Sequence, residues 1–186
     1  SPTIANAGRG HRGSLSACFV RSPQDTMEDT LRCQSDWGMI EKWGGGVGAG
    51  FNHIRPRGSK ISTTHGIALG PIAVMRMLSA NAKEITQGAF RLGAHMGQLD
   101  ITHPDIREFV HCKDQDKGLE NFNISVQVTD EFMQAVKEDK EWFFVDPHTQ
   151  ERTSAGPAQA LWAEICESAW KTGDPGVVFM DRIWET

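Results

Sequence analysis

The alternation of helical and strand-like segments is the feature that most constrains how this chain can fold. Apolar residues recur at helical spacing in several segments, and short apolar runs lie between them. The helical segments are residues 26–43, Pro71 to about 88, a shorter one from Pro104, one from Thr129, and one bracketed by Pro157 and Gly173; the strand-like runs are residues 123–128 and 177–180. Strands that alternate with helices are typical of an α/β domain, so we expect a largely parallel sheet.

Local sequence signals predict where these segments begin and end. Asp25 followed by Glu28 has the pattern of a capping box, which predicts the start of the first long helix. The glycines at positions 44–46 predict its end. Residues 146–156 are polar and rich in turn formers, so we expect a linker-like stretch there. With 186 residues, 39% of them hydrophobic, the chain can build the core of one domain.

The net charge indicates which binding partners to expect, and the cysteine content indicates which compartment. The formal net charge is −5, the isoelectric point is near 5.8, and the basic residues are scattered. We therefore expect no DNA or RNA surface and no membrane-surface helix, and we see neither a signal peptide nor a spanning stretch. The cysteines at positions 18, 33, 112 and 166 form no Cys-x-x-Cys pair, which favours a reducing cytoplasm over a disulfide scaffold.

Sequence fingerprints of metal and dinucleotide sites do not match this chain. The seven histidines form no His-Glu-x-x-His motif, and His103 before Pro104 is interpreted as a helix cap, so we predict no metal site. The glycine run at residues 44–50 follows a helix rather than a strand and departs from Gly-x-Gly-x-x-Gly. A dinucleotide-binding fold is therefore disfavoured.

Ordered blocks along nearly the whole chain resemble the large, catalytic subunit of ribonucleotide reductase, most of all its adenosylcobalamin-dependent (class II) branch. The blocks are SPTIANAG at residues 1–8, SACFV at 16–20, DTM at 25–27, IRPRG at 54–58, THGIALGP at 64–71, RLGAHMG at 91–97, HPDI at 103–106, NFNISV at 121–126 and GDPG at 173–176. The resemblance implies that residues 1–186 are an internal fragment, the incomplete first half of a ten-stranded α/β barrel that forms part of the catalytic domain. An open sheet edge would make such a fragment prone to aggregation on its own.

Cys18 is the main candidate for chemistry. By residue type alone it is interpreted as a buried, inert thiol, but the resemblance implies that it is one half of a dithiol that reduces the substrate ribose. The resemblance also implies that its partner cysteine and the radical-bearing Asn-x-Cys-x-Glu loop lie beyond residue 186, so the fragment is expected to be inactive alone. Cys33 and Cys166 fall on helical faces and are predicted to be packing thiols.

The resemblance assigns nucleotide-binding residues only at positions where this sequence matches the motifs of the family. The resemblance implies that the substrate contacts Thr3 through its phosphates and Ala17, Cys18 and Gly46 near its ribose, where glycine allows close backbone approach. It implies a second site for a deoxynucleotide or ATP effector, formed by Asp25, Thr26, Met27, Arg55 and Ser62, with Lys60 nearby. Gln87 and Arg91 match a specificity loop between the two sites, although residues 89–92 depart from the Gly-Lys-Arg-Arg typical of cobalamin-using relatives.

The expected function is therefore reduction of a ribonucleoside di- or triphosphate by thiyl-radical chemistry. The resemblance implies adenosylcobalamin as cofactor, a thioredoxin-like or glutaredoxin-like protein as reductant, and a homodimer, since the family builds its effector site at a subunit interface. Two alternatives remain open. One is the oxygen-dependent (class I) branch, which takes its radical from a separate subunit, and the other is a nucleotide-binding module without catalysis.

Overall fold

The computed structural model describes residues 2–10, 14–84, 93–114 and 117–185. Its helices are α1 (Pro2–Asn6), α2 (Met27–Lys42), α3 (Gly70–Glu84), α4 (Ile106–Val110), α5 (Asp130–Lys137), α6 (Ala158–Thr172) and α7 (Met180–Trp184), with a 3₁₀ turn at Lys117–Leu119. Its strands are β1 (Cys18–Val20), β2 (Gly46–Gly50), β3 (His95–Asp100), β4 (Phe122–Val128), β5 (Glu141–Val145), β6 (Arg152–Pro157) and β7 (Gly176–Phe179). The predicted specificity-loop residues Gln87 and Arg91 lie outside the described residues.

A parallel sheet organises the described part of the chain. Its strands lie in the order β1-β2-β3-β4-β7, and every neighbouring pair is parallel. The register places Cys18 opposite Gly46 and Val47 opposite His95. Strands β5 and β6 form a separate antiparallel hairpin between α5 and α6. The predicted α/β class with a largely parallel sheet is confirmed.

The two faces of this sheet have different surroundings. Residues on the covered face pack against the helices in the hydrophobic core; they are Val47, Ala49, His95, Leu99, Phe122, Ile124 and Val126 on the strands, against Trp37, Met75, Leu78 and Phe109 on the helices. Residues on the open face alternate with these along the strands; they are Cys18, Gly46, Gly48, Met96, Gln98, Asn123, Ser125 and Gln127. Because parallel sheets are normally covered on both faces, the open face is the natural place for a ligand or further protein to bind.

The long helices and the last strands lie close to where periodicity places them. The helix expected at residues 26–43 is Met27–Lys42, and the one expected between Pro157 and Gly173 is Ala158–Thr172. The strand expected at residues 123–128 is Phe122–Val128. In these segments a continuous apolar pattern and a clear terminal signal agree, so the prediction is confirmed.

Two local predictions are wrong. The residue that caps α2 is Thr26 rather than Asp25, because its hydroxyl accepts the backbone N–H of Asp29 at 3.1 Å. Residues 146–156 are not a linker, because they contain the turn of the β5–β6 hairpin and most of β6. None of the helices within the described ranges combines the length and apolar character that a membrane crossing requires.

Candidate functional site

A pocket of about 420 Å³ lies on the open face, above β1, β2, β3 and β4. Residues predicted to contact substrate lie in its lining together with side chains from β3 and β4; the lining includes Ala17, Cys18, Gly46, Ala94, Gln98 and Asn123. A volume of several hundred Å³ is typical of small-molecule sites. The structure thus brings three of the predicted substrate residues, Ala17, Cys18 and Gly46, to one pocket of nucleotide size.

Cys18 is the first residue of β1 and is exposed to solvent. Its carbonyl accepts a bond from the Ser16 hydroxyl at 3.5 Å, while the carbonyl of Ala17 accepts the backbone N–H of Gly46 at 2.7 Å. These bonds fix the backbone on either side of Cys18 and leave its thiol facing the pocket. The interpretation of Cys18 as a buried core thiol is therefore wrong.

The other cysteines lie away from the pocket lining, and all four are free thiols. Cys33 is fully buried, its Sγ donates to the Arg21 carbonyl at 3.5 Å, and burial raises its thiol pKa to about 11. This confirms Cys33 as a packing thiol. Cys166 is exposed, so the same prediction is wrong there, because the buried side of α6 is formed by Leu161, Ile165 and Ser168.

Gly46 has a packing reason to be glycine. A Cβ at this position would lie 2.8 Å from the carbonyl oxygen of Ala94, a backbone atom that cannot move aside easily. Helix α2 ends before it, at Lys42, and Gly46 begins β2 instead of stopping the helix. The close approach of β2 to the chain entering β3 therefore requires glycine, independently of any ligand.

Thr3 lies outside the pocket lining. It belongs to α1, and its hydroxyl donates to the Leu15 carbonyl at 2.8 Å. The neighbouring Asn6 amide donates to the Ser14 carbonyl at 2.7 Å. Both bonds tie α1 to the segment that leads into β1 and Cys18.

A ladder of amide side chains crosses the open face, and sequence reasoning missed it. Asn52 Nδ2 donates to Gln127 Oε1 at 2.7 Å, and Gln127 Nε2 donates to Gln98 Oε1, also at 2.7 Å. Asn52 Oδ1 accepts the backbone N–H of Asp100 at 2.9 Å. Polar residues at every second position of β3 and β4 are the signal that could have found it. The ladder therefore forms a fixed polar surface at one end of the open face.

A second cluster lies at the start of α2 and is called the Asp25 cluster: Asp25, Arg55 and His148. Arg55 Nε donates to Asp25 Oδ2 at 2.6 Å, and His148 Nε2 lies 2.8 Å from the same oxygen. The backbone N–H of Arg55 bonds Asp25 Oδ1 at 3.3 Å. The side chains of Asp25 and Arg55 are 15% and 26% exposed, so this is a largely desolvated charge pair.

The other predicted effector residues, Thr26, Met27 and Ser62, lie in different settings. Thr26 uses its hydroxyl to cap α2, and Met27 is exposed on the first turn of that helix. Ser62 lies in an exposed turn within the loop between β2 and α3. Asp25 and Arg55 are thus joined directly, whereas in the described part of the chain no side-chain hydrogen bond or ion pair joins Thr26, Met27 or Ser62 to them.

The connection from β1 into α2 is held by a separate ion pair. Arg21 donates to Asp29 at 2.8 Å and 3.2 Å and to Asp36 at 3.0 Å. The Arg21 bond, together with the backbone N–H of Gln24, lowers the pKa of Asp29 to about 2. The segment between Cys18 and Asp25 therefore has a fixed path.

A buried acid–histidine pair lies behind the pocket, on the covered face. The side chains of Glu41 and His95 are 1% and 0% exposed and contact each other through Oε1 and Nε2. The His95 ring packs edge-on against Trp37 at 4.5 Å and Phe122 at 4.8 Å. Nothing in the helical or strand pattern indicated that these two polar residues would meet in the core.

Metal ligands do not gather in the described part of the chain. Among those residues, no group of three or more histidine, cysteine, aspartate or glutamate side chains is arranged to hold an ion. His103 donates through Nε2 to the Ile54 carbonyl at 2.9 Å and accepts the backbone N–H of Asp105 at 3.0 Å. It therefore closes the turn before α4, whose N-cap is Asp105, so the interpretation of His103 as the helix cap is wrong.

Comparisons with known proteins point to one family. Residues 16–185 match the family model described as the barrel domain of ribonucleotide reductase. The vitamin B12-dependent ribonucleoside-diphosphate reductase of Thermoplasma acidophilum is 42% identical over 98% of this chain, and that of Mycobacterium tuberculosis is 38% identical over 98%. The vitamin B12-dependent ribonucleotide reductase of Streptomyces coelicolor is 36% identical over the whole chain. The chain spans 22–26% of the length of these relatives.

Proposed function

Because the chain belongs to the ribonucleotide reductase family, whose barrel-domain model covers almost all of it, we propose that it forms one wall of the site where a ribonucleotide is reduced. The observation that carries this proposal is the exposed thiol of Cys18 in a pocket of nucleotide size on the open face of a parallel sheet. In a partial α/β barrel, helices cover one face of the parallel sheet and the other face is left open, as it is here. The chain would supply the first half of the ten-stranded barrel.

In the proposed reaction Cys18 acts as one of two thiols that reduce the ribose. The C2′–OH bond breaks and the hydroxyl leaves as water. As the two thiols form a disulfide they release two protons and two electrons; both electrons and one proton end in the new C2′–H bond, and the other proton leaves with the hydroxyl as water. The second thiol and the thiyl-radical cysteine would come from residues beyond this chain, so the isolated 186 residues should not turn over.

The pocket supports a role for the backbone around Cys18 in holding the sugar. Ala17 and Gly46 lie in the lining, and their mutual hydrogen bond fixes the strand edge that a ribose would meet. Thr3 is proposed to reach the substrate phosphates from α1, which is tied to the same segment. The substrate would be a ribonucleoside di- or triphosphate.

The Asp25 cluster is proposed to bind a deoxynucleotide or ATP effector. Asp25 offers a carboxylate to a ribose hydroxyl, and Arg55 offers a guanidinium to phosphates, assisted by Thr26, Met27 and Ser62. Gln87 and Arg91 would relay the identity of the effector base to the substrate. The position of this cluster at the start of a long helix with exposed apolar side chains supports a homodimeric enzyme.

The full-length enzyme is proposed to depend on adenosylcobalamin, which would start the radical chemistry. The pocket of about 420 Å³ suits a nucleotide and is too small for a corrinoid, so the cofactor would not be held inside this pocket. Residues outside this chain would hold most of the cofactor. The oxygen-dependent branch is the weaker candidate, because the relatives at 36–42% identity carry the name vitamin B12-dependent.

Turnover by the full-length protein tests this function. It would be supplied with a ribonucleotide and a dithiol, with and without adenosylcobalamin, and the deoxyribonucleotide product would be measured. Product is expected only with the cofactor. Turnover without it would refute the cobalamin-dependent branch, and no product in any condition would support a nucleotide-binding module without catalysis. A thioredoxin-like or glutaredoxin-like protein in a reducing cytoplasm would be the natural electron donor.

A further inference from the structure

We propose that His148 is a positioning residue of the nucleotide site at Asp25. It holds the Asp25 carboxylate towards the sugar hydroxyl of a bound nucleotide once Arg55 turns to the phosphates. This inference rests on the proposed function of the Asp25 cluster as an effector site. It assigns a role to the turn between β5 and β6, which the sequence pattern had marked only as linker-like.

The turn holds the backbone at His148 in a fixed conformation. Asp146 Oδ1 accepts the backbone N–H groups of His148 at 2.8 Å and of Thr149 at 2.9 Å, and the Asp146 carbonyl accepts the N–H of Gln150 at 3.0 Å. Burial acts to raise the pKa of Asp146, but the bonds from Thr149 and His148 outweigh it and the pKa is lowered. The turn is therefore held by a charged acceptor across the neutral pH range.

The hairpin that carries the turn is anchored to the end of β3. Trp142 Nε1 donates to the Ile101 carbonyl at 3.3 Å, and the backbone N–H of Val145 donates to the Thr102 carbonyl at 2.7 Å. Trp142 is 7% exposed and packs edge-on against Phe132 at 5.0 Å. These contacts hold the hairpin in a fixed position, from β3 in the middle of the sheet to the start of α2.

The contacts at the turn explain why Asp25 needs a second side-chain partner. Asp25 Oδ2 is shared between Arg55 Nε and His148 Nε2, and His148 Nε2 also lies 3.2 Å from the His53 carbonyl. Within the described part of the chain, the guanidinium of Arg55 bonds through Nε, which leaves its two Nη groups to an anion. A phosphate that draws Arg55 away would leave a carboxylate with 15% exposure without a side-chain partner. His148 supplies that partner and keeps the carboxylate in place.

Nucleotide titrations of the full-length protein test this role. The four deoxynucleoside triphosphates would each be compared with their 2′,3′-dideoxy counterparts, which lack the hydroxyl that Asp25 would accept from. Wild type is expected to bind the deoxy form roughly tenfold more tightly, the value of one charge-assisted hydrogen bond. In His148→Ala this ratio should fall to near one, and His148→Gln, which retains a donor, should restore part of it.

A matched control separates positioning from a general effect on folding. His111 has nearly the same side-chain exposure, 44% against 46%, and is also paired with carboxylates, but it follows α4 and bonds Asp114 and Glu164. His111→Ala should leave the deoxy-to-dideoxy ratio unchanged. An unchanged ratio in His148→Ala, or a wild-type ratio near one, would overturn the role of His148. Failure of wild type to bind any of the triphosphates would instead overturn the effector site itself.

Discussion

The two faces of the parallel sheet are built from the same strands but carry different chemistry. The covered face consists of apolar side chains that are almost fully buried against helices, with the Glu41–His95 pair enclosed among them. The open face carries the exposed thiol of Cys18, several glycines and an amide ladder. Successive strand residues point to opposite faces. Substitutions at two neighbouring positions are therefore expected to differ in effect, one lowering the stability of the core and the other changing the function of the open face. Substitutions on each face therefore test that separation.

The largest effect is expected at Cys18 on the open face. Cys18→Ser in the full-length protein should reduce multiple turnover to background, since serine cannot form the disulfide that accepts the electrons. Binding of the ribonucleotide should remain close to wild type, and the stability change should stay within about 0.5 kcal/mol because the side chain is exposed. Steady-state product formation and substrate titration measure the two quantities. Cys166→Ser, at an exposed cysteine on α6, is the control, and undiminished turnover by Cys18→Ser would make Cys18 a structural residue.

The next largest effect is expected on the covered face, at Glu41. Glu41→Ala removes the partner of a histidine with no side-chain exposure, and breaking such a buried pair costs about 3–5 kcal/mol. Asn123→Ala, at an exposed position of the open face, should change stability by less than about 0.5 kcal/mol. Denaturant unfolding of the full-length variants compares them. Equal losses would mean that the two faces contribute alike to stability.

Sequence patterns were sufficient to predict the structure or the family where one local signal dominated. Helix α6 has a continuous apolar stripe between Pro157 and Gly173, and Gly173 adopts the left-handed conformation typical of a helix end, with φ of 84°. The motif blocks around Cys18 were likewise enough to indicate the family. Both signals are local, so they can be seen without knowledge of the fold.

The parts that were missed depend on contacts between distant segments. Strand β2 lies in a glycine-rich run that has low strand propensity, and it is a strand because β1 and β3 pair with it on both sides. The contact of His148 with Asp25 joins two segments far apart in the chain through the hairpin, and no local pattern encodes it. The core pair of Glu41 and His95 was missed for the same reason.

A glycine-to-alanine comparison isolates the two faces with one chemical change. At Gly97 on the covered face, a Cβ would lie 2.8 Å from Met75 Cε and 3.3 Å from the Phe122 ring. At Gly48 on the open face, the nearest atom would be Met96 Cβ at 3.7 Å, an ordinary contact. Gly97→Ala should therefore cost about 1–3 kcal/mol through overpacking, and Gly48→Ala less than about 0.5 kcal/mol. A Gly48→Ala variant that is the less stable of the two would contradict the assignment of the faces.

The smallest effect is a pH dependence at His103, which is 2% exposed near the end of β3. Burial lowers the pKa of His103, against the opposing bond to the Ile54 carbonyl. The unfolded chain, with a histidine pKa of about 6.5, therefore binds the proton first, so this contribution to stability is present above that pH and is lost as the pH falls below it. Between pH 7.5 and 5.5 the free energy of unfolding of the wild type, measured by denaturant titration, should fall more than that of His103→Gln, with a difference of at most about 1.4 kcal/mol per pH unit. His111 should act in the opposite direction: burial acts to lower its pKa, but Asp114 and Glu164 outweigh it and raise the pKa. A steeper acid loss in His103→Gln than in wild type would show that His103 is protonated in the fold.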